Sequence, residues 1–203
     1  SSYDLQGGQF TKATFIFSTL TEVNLNDSDL SEIDFSKSVI KGGTFRQAQV
    51  KDVNFSNTDL NETDFEGAVL VNCNFENASL EQSNLSSTTF TNCNFRGANL
   101  NFSNLYSSKI KKSEMAFSRI MYCNFKQIAL EQCVLNGING RGSDFSFGNL
   151  TGVEMKGANL KYSDFNSCTF KGSNLSNANF VGVELKDSIC ENIQMEGINL
   201  EGA

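Results

Sequence analysis

Large apolar residues recur along this chain at every fifth position. From Leu5 to Leu200 the 40 places in that register hold 17 Leu, 14 Phe, 3 Ile, 3 Met and 1 Val, leaving only Gly140 and Cys190 outside the class. Two residues before each of them, at positions 3, 8, 13 and onward to 203, 35 of 41 residues are Gly, Ala, Ser, Thr, Cys or Val; the exceptions are Tyr3 and five Ile. The residue between is most often Asn, Asp or Thr, as in VNCNF ending at Phe75 and TNCNF ending at Phe95, and the other two are polar or Gly. The register never shifts.

A period of five matches neither the 3.6 of a helix nor the 2.0 of a strand. Two inward residues spaced by two, followed by three outward ones, describe a short extended segment and then a bend, repeated without insertion. If four such segments close one square coil, residue n lies above residue n − 20. At the ~4.8 Å spacing of hydrogen-bonded strands, ten coils make a rod on the order of 48 Å long. The large residue fills the axis, the small one sits by the wall, and each coil pairs the backbone of the next. The same geometry accounts for the complete absence of Pro, whose missing N–H would leave a gap in every ladder it entered.

The repeats TDLNE, TDFEG, ASLEQ, SNLSS, GANLN and NANFV resemble the pentapeptide-repeat family, and the resemblance covers the whole chain. It implies an all-β fold, a right-handed quadrilateral β-helix of about ten uninterrupted four-sided coils. The expected organisation is one repeat domain over residues 1–203, either complete or cut from a longer protein. The family's roles are unlike one another. They include acidic rods that mimic DNA, bind gyrase and protect it from quinolones, and bacterial effectors delivered into host cells, so the fold does not fix the function.

Composition removes several classes. There is no His, hence no imidazole base, no Ser/His or Cys/His dyad and no His-containing zinc site. With 16 Lys+Arg against 23 Asp+Glu, a net charge of -7 argues against affinity drawn from neutralising phosphate, so no direct nucleic-acid binding is expected. No apolar run approaches the roughly 18–20 residues of a membrane span, and the start, SSYDLQGGQF, has no basic region followed by an apolar one.

A uniformly filled rod offers no cleft in which polar groups converge, so the sequence predicts a protein that is not an enzyme, with no catalytic residue, cofactor or metal. Carboxylate pairs such as Asp27/Asp29 and Asp64/Glu66 fall on solvated outer positions. The Gly-rich stretch GINGRGSDF, residues 137–145, lacks the lysine of a phosphate-binding loop. Gly140 instead leaves a large inward place empty, which predicts a packing defect, a bulge or a flexible point there.

Five cysteines (Cys73, Cys93, Cys123, Cys133, Cys168) take the small inward place and Cys190 the large one, so all six are expected to point inwards. Cys73 and Cys93 stack in adjacent coils within disulfide range, yet side chains in register on parallel strands point the same way. Reduced packing thiols are the reading, a disulfide or metal role the alternative; the first favours a reducing compartment such as the cytoplasm, while secretion as an effector stays open.

Function must then lie on the outer positions. Residues 1–100 carry all of the net -7, and from Asp52 to Asn94 there are seven acidic residues and no Lys or Arg. Within that stretch Asp59, Glu62, Asp64 and Glu66 are candidate partner-binding residues, either as an imitation phosphate backbone or as a solubilising surface. Phe102, Tyr122 and Tyr162 share one outward column, with Gly142 at the missing rung and Arg119, Arg141 and Lys161 on the same face. Aromatics with Arg are the composition of interface hot spots, although stacked ladders also stabilise a rod. The expected ligand is a protein. Large residues at Ile193, Met195 and Ile198 in the final coil raise end-to-end homodimerisation as a further expectation.

Overall fold

Every fifth residue from Gly7 to Gly202 has φ between 49° and 70°. This left-handed residue makes the corner. It follows the inward large residue by two, and the next small residue closes the turn by donating its N–H to that large residue's carbonyl, as Ser18 does to Phe15 (3.1 Å) and Ala78 to Phe75 (3.0 Å). Positive φ at the third residue of a four-residue turn is the type II arrangement, which Gly adopts without strain. Only 12 of these corners are Gly; the other 28 hold side chains that meet a Cβ clash there.

A computed structural model describes residues 3–203. Among them, seven three-residue strands form one parallel sheet in chain order: β1 (Gln9–Thr11), β2 (Asp29–Ser31), β3 (Gln49–Lys51), β4 (Val69–Val71), β5 (Thr89–Thr91), β6 (Lys109–Lys111) and β7 (Ala129–Glu131). Each residue pairs with the one 20 places on, from Phe10↔Leu30 to Ile110↔Leu130. The other sides are joined by single-residue parallel bridges in the same step, from Asp4↔Asn24 to Asn179↔Asn199. The seven strands alone make about six turns of a β-solenoid, and the bridges carry the step on to Asn199. No helix is long and apolar enough to cross a membrane among the described residues.

The axis is filled as the spacing predicts. Phe15, Phe35, Phe55, Phe75 and Phe95 stack face to face with centroids 4.7–5.4 Å apart. Phe45 and Phe65 stack at 4.4 Å in another column and meet the first edge-on, Phe55 to Phe65 at 6.2 Å. Such ring pairs each add about 0.5–1.5 kcal/mol beyond the area they bury.

The small place has a second duty. Its hydroxyl or thiol often donates to the carbonyl of a large residue, either in the preceding coil, as Thr58 to Phe35 (2.8 Å), Ser103 to Leu80 (2.6 Å) and Cys123 to Leu100 (2.9 Å), or three residues earlier in its own, as Ser38 to Phe35 (2.5 Å). That is why Ser, Thr and Cys recur there. The middle place carries side-chain ladders, Asn54 Nδ2 donating to Asp34 (3.1 Å) and Asn94 Nδ2 to Asn74 (3.1 Å). Their Oδ1 atoms also accept the N–H two residues on, for example Ser56 N–H to Asn54 at 3.1 Å, a local turn that Asn and Asp favour.

Two expectations are corrected. Gly140 produces no bulge: its N–H donates to Asn159 (2.8 Å), its carbonyl accepts from Ser143 N–H (3.2 Å), and the register passes through it unchanged. The room a large side chain would take is occupied from the coils on either side, since a Cβ there would stand 2.8 Å from Leu160 Cδ2 and 3.2 Å from Ile120 Cδ1. The cysteines behave as expected at five positions, which are buried and unpaired, but Cys190 is exposed. Its place faces the axis, in the last of the described coils. Burial pushes the Cys123 and Cys168 thiols up to about 12.

Candidate interaction surface

Outer chemistry is set by the corners, because the left-handed residue throws its side chain along the rod toward the following coil. Phe102, Tyr122 and Tyr162 all occupy corners, with φ of 62°, 55° and 60°, and each is more than half exposed. Bulky residues at such φ are uncommon and strained by roughly 1–2 kcal/mol. Phe102 and Tyr122 stack with centroids 5.5 Å apart and planes 9° apart. Tyr122 lies over Gly142, Tyr162 lies over Gly182, and the Arg141 guanidinium sits 5.3 Å above the Tyr162 ring.

Arg119 is exposed on the same face, its backbone bridged to Asn99 and Asn139, and Lys161 stands one coil beyond Arg141. Arg119, Arg141 and Lys161 form no ion pair among the described residues. The structure thus brings Phe102, Tyr122, Tyr162, Arg119 and Arg141 onto one face. Elsewhere Phe17, Phe117 and Phe147 are also corner residues, each under a cation from Lys37, Arg96 or Lys126.

The four acidic candidates divide. Asp59 and Glu62 lie on the aromatic face toward the N-terminal end, whereas Asp64 and Glu66 turn the corner onto the next face. Cations that the acidic stretch lacks in sequence arrive from the coil before it. Lys41 Nζ is 2.9 Å from Glu62, and Arg46 reaches Asp64 (2.6 Å from Nε) and Glu66 (3.8 Å from Nη1). The hydrogen bonds to Glu62 and Asp64 hold Lys41 and Arg46 above their usual pKa values. Asp59 and Glu81 stand outside any ion pair among the described residues; Glu81 accepts only from Asn99 Nδ2, at 3.1 Å.

An unbroken five-residue register, a left-handed corner in every repeat and parallel 20-residue pairing define a class, the parallel β-solenoid of pentapeptides. The chain belongs to the pentapeptide-repeat family. Its pentapeptide repeat region model matches residues 8–85 and 83–165, and its model of eight pentapeptide repeats matches residues 163–202.

Among solved structures, HetL, a pentapeptide repeat protein involved in heterocyst differentiation regulation from the cyanobacterium Nostoc sp. strain PCC 7120, is 20% identical over 99% of this chain and 91% of its own, with a TM-score of 0.52. A trypsin-treated form of QnrB1, a plasmid-mediated fluoroquinolone resistance protein, is 20% identical over 94% of this chain and 90% of its own, with a TM-score of 0.45. At 20% identity the likeness to HetL concerns the fold alone. No curated protein matches the chain.

Proposed function

We propose that this chain is a non-catalytic rod that binds a protein partner through the face bearing Phe102, Tyr122 and Tyr162. One observation carries the reading: three aromatic residues in one column hold strained left-handed corners while remaining more than half exposed. Stacking and one cation over a ring return only part of that cost, about 0.5–1 kcal/mol for an exposed cation–π contact. Burial beneath a partner supplies the rest, and aromatic and Arg side chains are those that dominate interface energies. The buried, unpaired thiols accord with a reducing compartment such as the cytoplasm.

The test is capture of partners by the wild type, Tyr122→Ala and Tyr162→Ala, with Phe147→Ala as a control on another face. Loss of a captured protein in the first two variants alone supports the reading; identical capture by all four overturns it.

A second reading, a DNA-mimicking protein that binds gyrase and protects it from quinolones, is favoured by the location of charge. The net -7 lies wholly in residues 1–100, and Asp59 and Glu81 there are free of cationic partners. A gyrase supercoiling assay with and without a quinolone decides it: an outcome with no inhibition and no protection would remove this reading.

A further inference from the structure

The aromatic face is bipolar. Its outward residues before the aromatic column include Glu22, Asp59, Glu62 and Glu81, with Lys41 held by Glu62. From Phe102 through Gly182 the same face has Arg119, Arg141 and Lys161 and not one carboxylate. The reversal falls at the middle of the rod, where Phe102 and Tyr122 stack.

We propose that this face pairs with the same face of a second copy of the chain, antiparallel, about a two-fold axis that crosses it between Phe102 and Tyr122. This rests on the reading of that face as an interface and names its partner. Two rods laid face to face and antiparallel keep each outward column opposite itself while reversing its direction. The 20-residue register then determines what meets what. Phe102 falls opposite the other copy's Tyr122, Glu81 opposite Arg141, and Gln82 opposite the notch at Gly142. Glu62 and Asn61 flank Lys161.

On this face Arg141 meets Glu81, Lys161 meets Asn61 and Glu62, and Arg119 meets Asn99 of the other copy, and a two-fold axis makes each contact occur twice. Like charges come near one another at three places: Arg119 lies one rung from its own copy across the axis, Lys161 lies one rung from the Lys41 that Glu62 already holds, and Glu22 nears Glu201 at the extreme ends, where both are exposed. A parallel arrangement would set acid against acid along half the rod, so complementarity selects the antiparallel one. Three outward columns over ten rungs place about 30 residues on the face, the upper end of the ~20–30 a side used by stable interfaces.

Sedimentation equilibrium on the whole chain tests the pairing with Glu81→Arg and Arg141→Glu. The wild type is expected to dimerise, more weakly as salt rises. Each single reversal sets like charges together twice and is expected to raise the dissociation constant roughly tenfold or more. Mixed in equal amounts, the two reversed variants are expected to recover wild-type affinity as a heterodimer, because each then supplies what the other lacks. A monomeric wild type, or a mixture no tighter than its components, overturns the proposal. So does a dimer untouched by both reversals, which would point to contact through the C-terminal coil. If the wild type is monomeric while Tyr122→Ala still loses a different captured protein, self-pairing fails and the proposed function stands.

Discussion

The Tyr122 ring occupies the space that a side chain at residue 142 would need: a Cβ on Gly142 would stand 2.6 Å from Tyr122 Cε1. Gly142 also has φ +70°, so two independent requirements meet at one residue. Gly152 has nearly the same φ, +68°, but nothing within 4 Å of such a Cβ.

The two glycines therefore separate strain from contact. Gly152→Ala is expected to cost about 1–2 kcal/mol from the left-handed backbone alone. Gly142→Ala is expected to cost measurably more and to swing the Tyr122 ring away from the rod. Guanidinium midpoints of the two variants check this, and equal losses would show that the ring gives way freely.

Gly140 makes an opposite point within the core. At a place that elsewhere holds mostly Leu or Phe, Gly140→Leu is expected to destabilise by about 1–3 kcal/mol through overpacking, because Leu160 and Ile120 already use the room. Adding Leu160→Ala to Gly140→Leu is expected to recover part of that loss, since contacting sites are not additive. A rise in midpoint for Gly140→Leu alone would show an empty pocket.

Alkaline solution bears on the buried thiols. Cys123 and Cys168 titrate at about 12 in the folded chain against 9.0 unfolded, chiefly because burial disfavours the thiolate. Above pH 9 the unfolded chain releases protons that the folded one keeps, so the folded state loses ground. Their contribution to stability is full below pH 9 and is expected to fall between pH 9 and 12. The guanidinium midpoint followed across that window checks the sign. At pH 8 a thiol reagent is expected to modify the exposed Cys190 quickly and the five buried cysteines only after unfolding.

Lys112 offers a stabilising change. Its φ is 49°, and its column carries an amide ladder in the preceding coils, Asn92 Nδ2 donating to Asn72 (3.3 Å) and Asn72 Nδ2 to Asp52 (2.8 Å). Lys112→Asn places in that corner a residue that tolerates left-handed backbone and extends the ladder by one rung. A gain of about 0.5–1 kcal/mol is expected. A lower midpoint would mean that corner strain is not what limits stability there.

The coil was legible because the inward positions are chemically uniform: Phe and Leu at one fixed spacing leave no other way to bury them. The corners were not. Nothing in Lys112, Gln132 or Tyr162 as residue types announces positive φ, since the pairing of flanking residues imposes it against their own preference. Ion pairing was hidden for a related reason. The segment around Glu62, Asp64 and Glu66 contains no cation, but Lys41 and Arg46 lie about 20 residues earlier, which in this fold is one coil away. The aromatic column was visible as a column, but Tyr122 resting on Gly142 and Arg141 over Tyr162 depend on the direction in which a left-handed corner projects its side chain.

Because each coil meets the next through the same 20-residue step, distance along the rod and bearing around it are separately encoded. Deleting 20 residues between Glu81 and Tyr122 would slide the acidic and aromatic rungs together on one face. Deleting five would leave the core register intact and turn everything beyond by a quarter, carrying Tyr122 and Tyr162 away from the side that bears Glu62 and Glu81. A surface built from several coils is thus held together by a phase that the packing of the core does not itself protect.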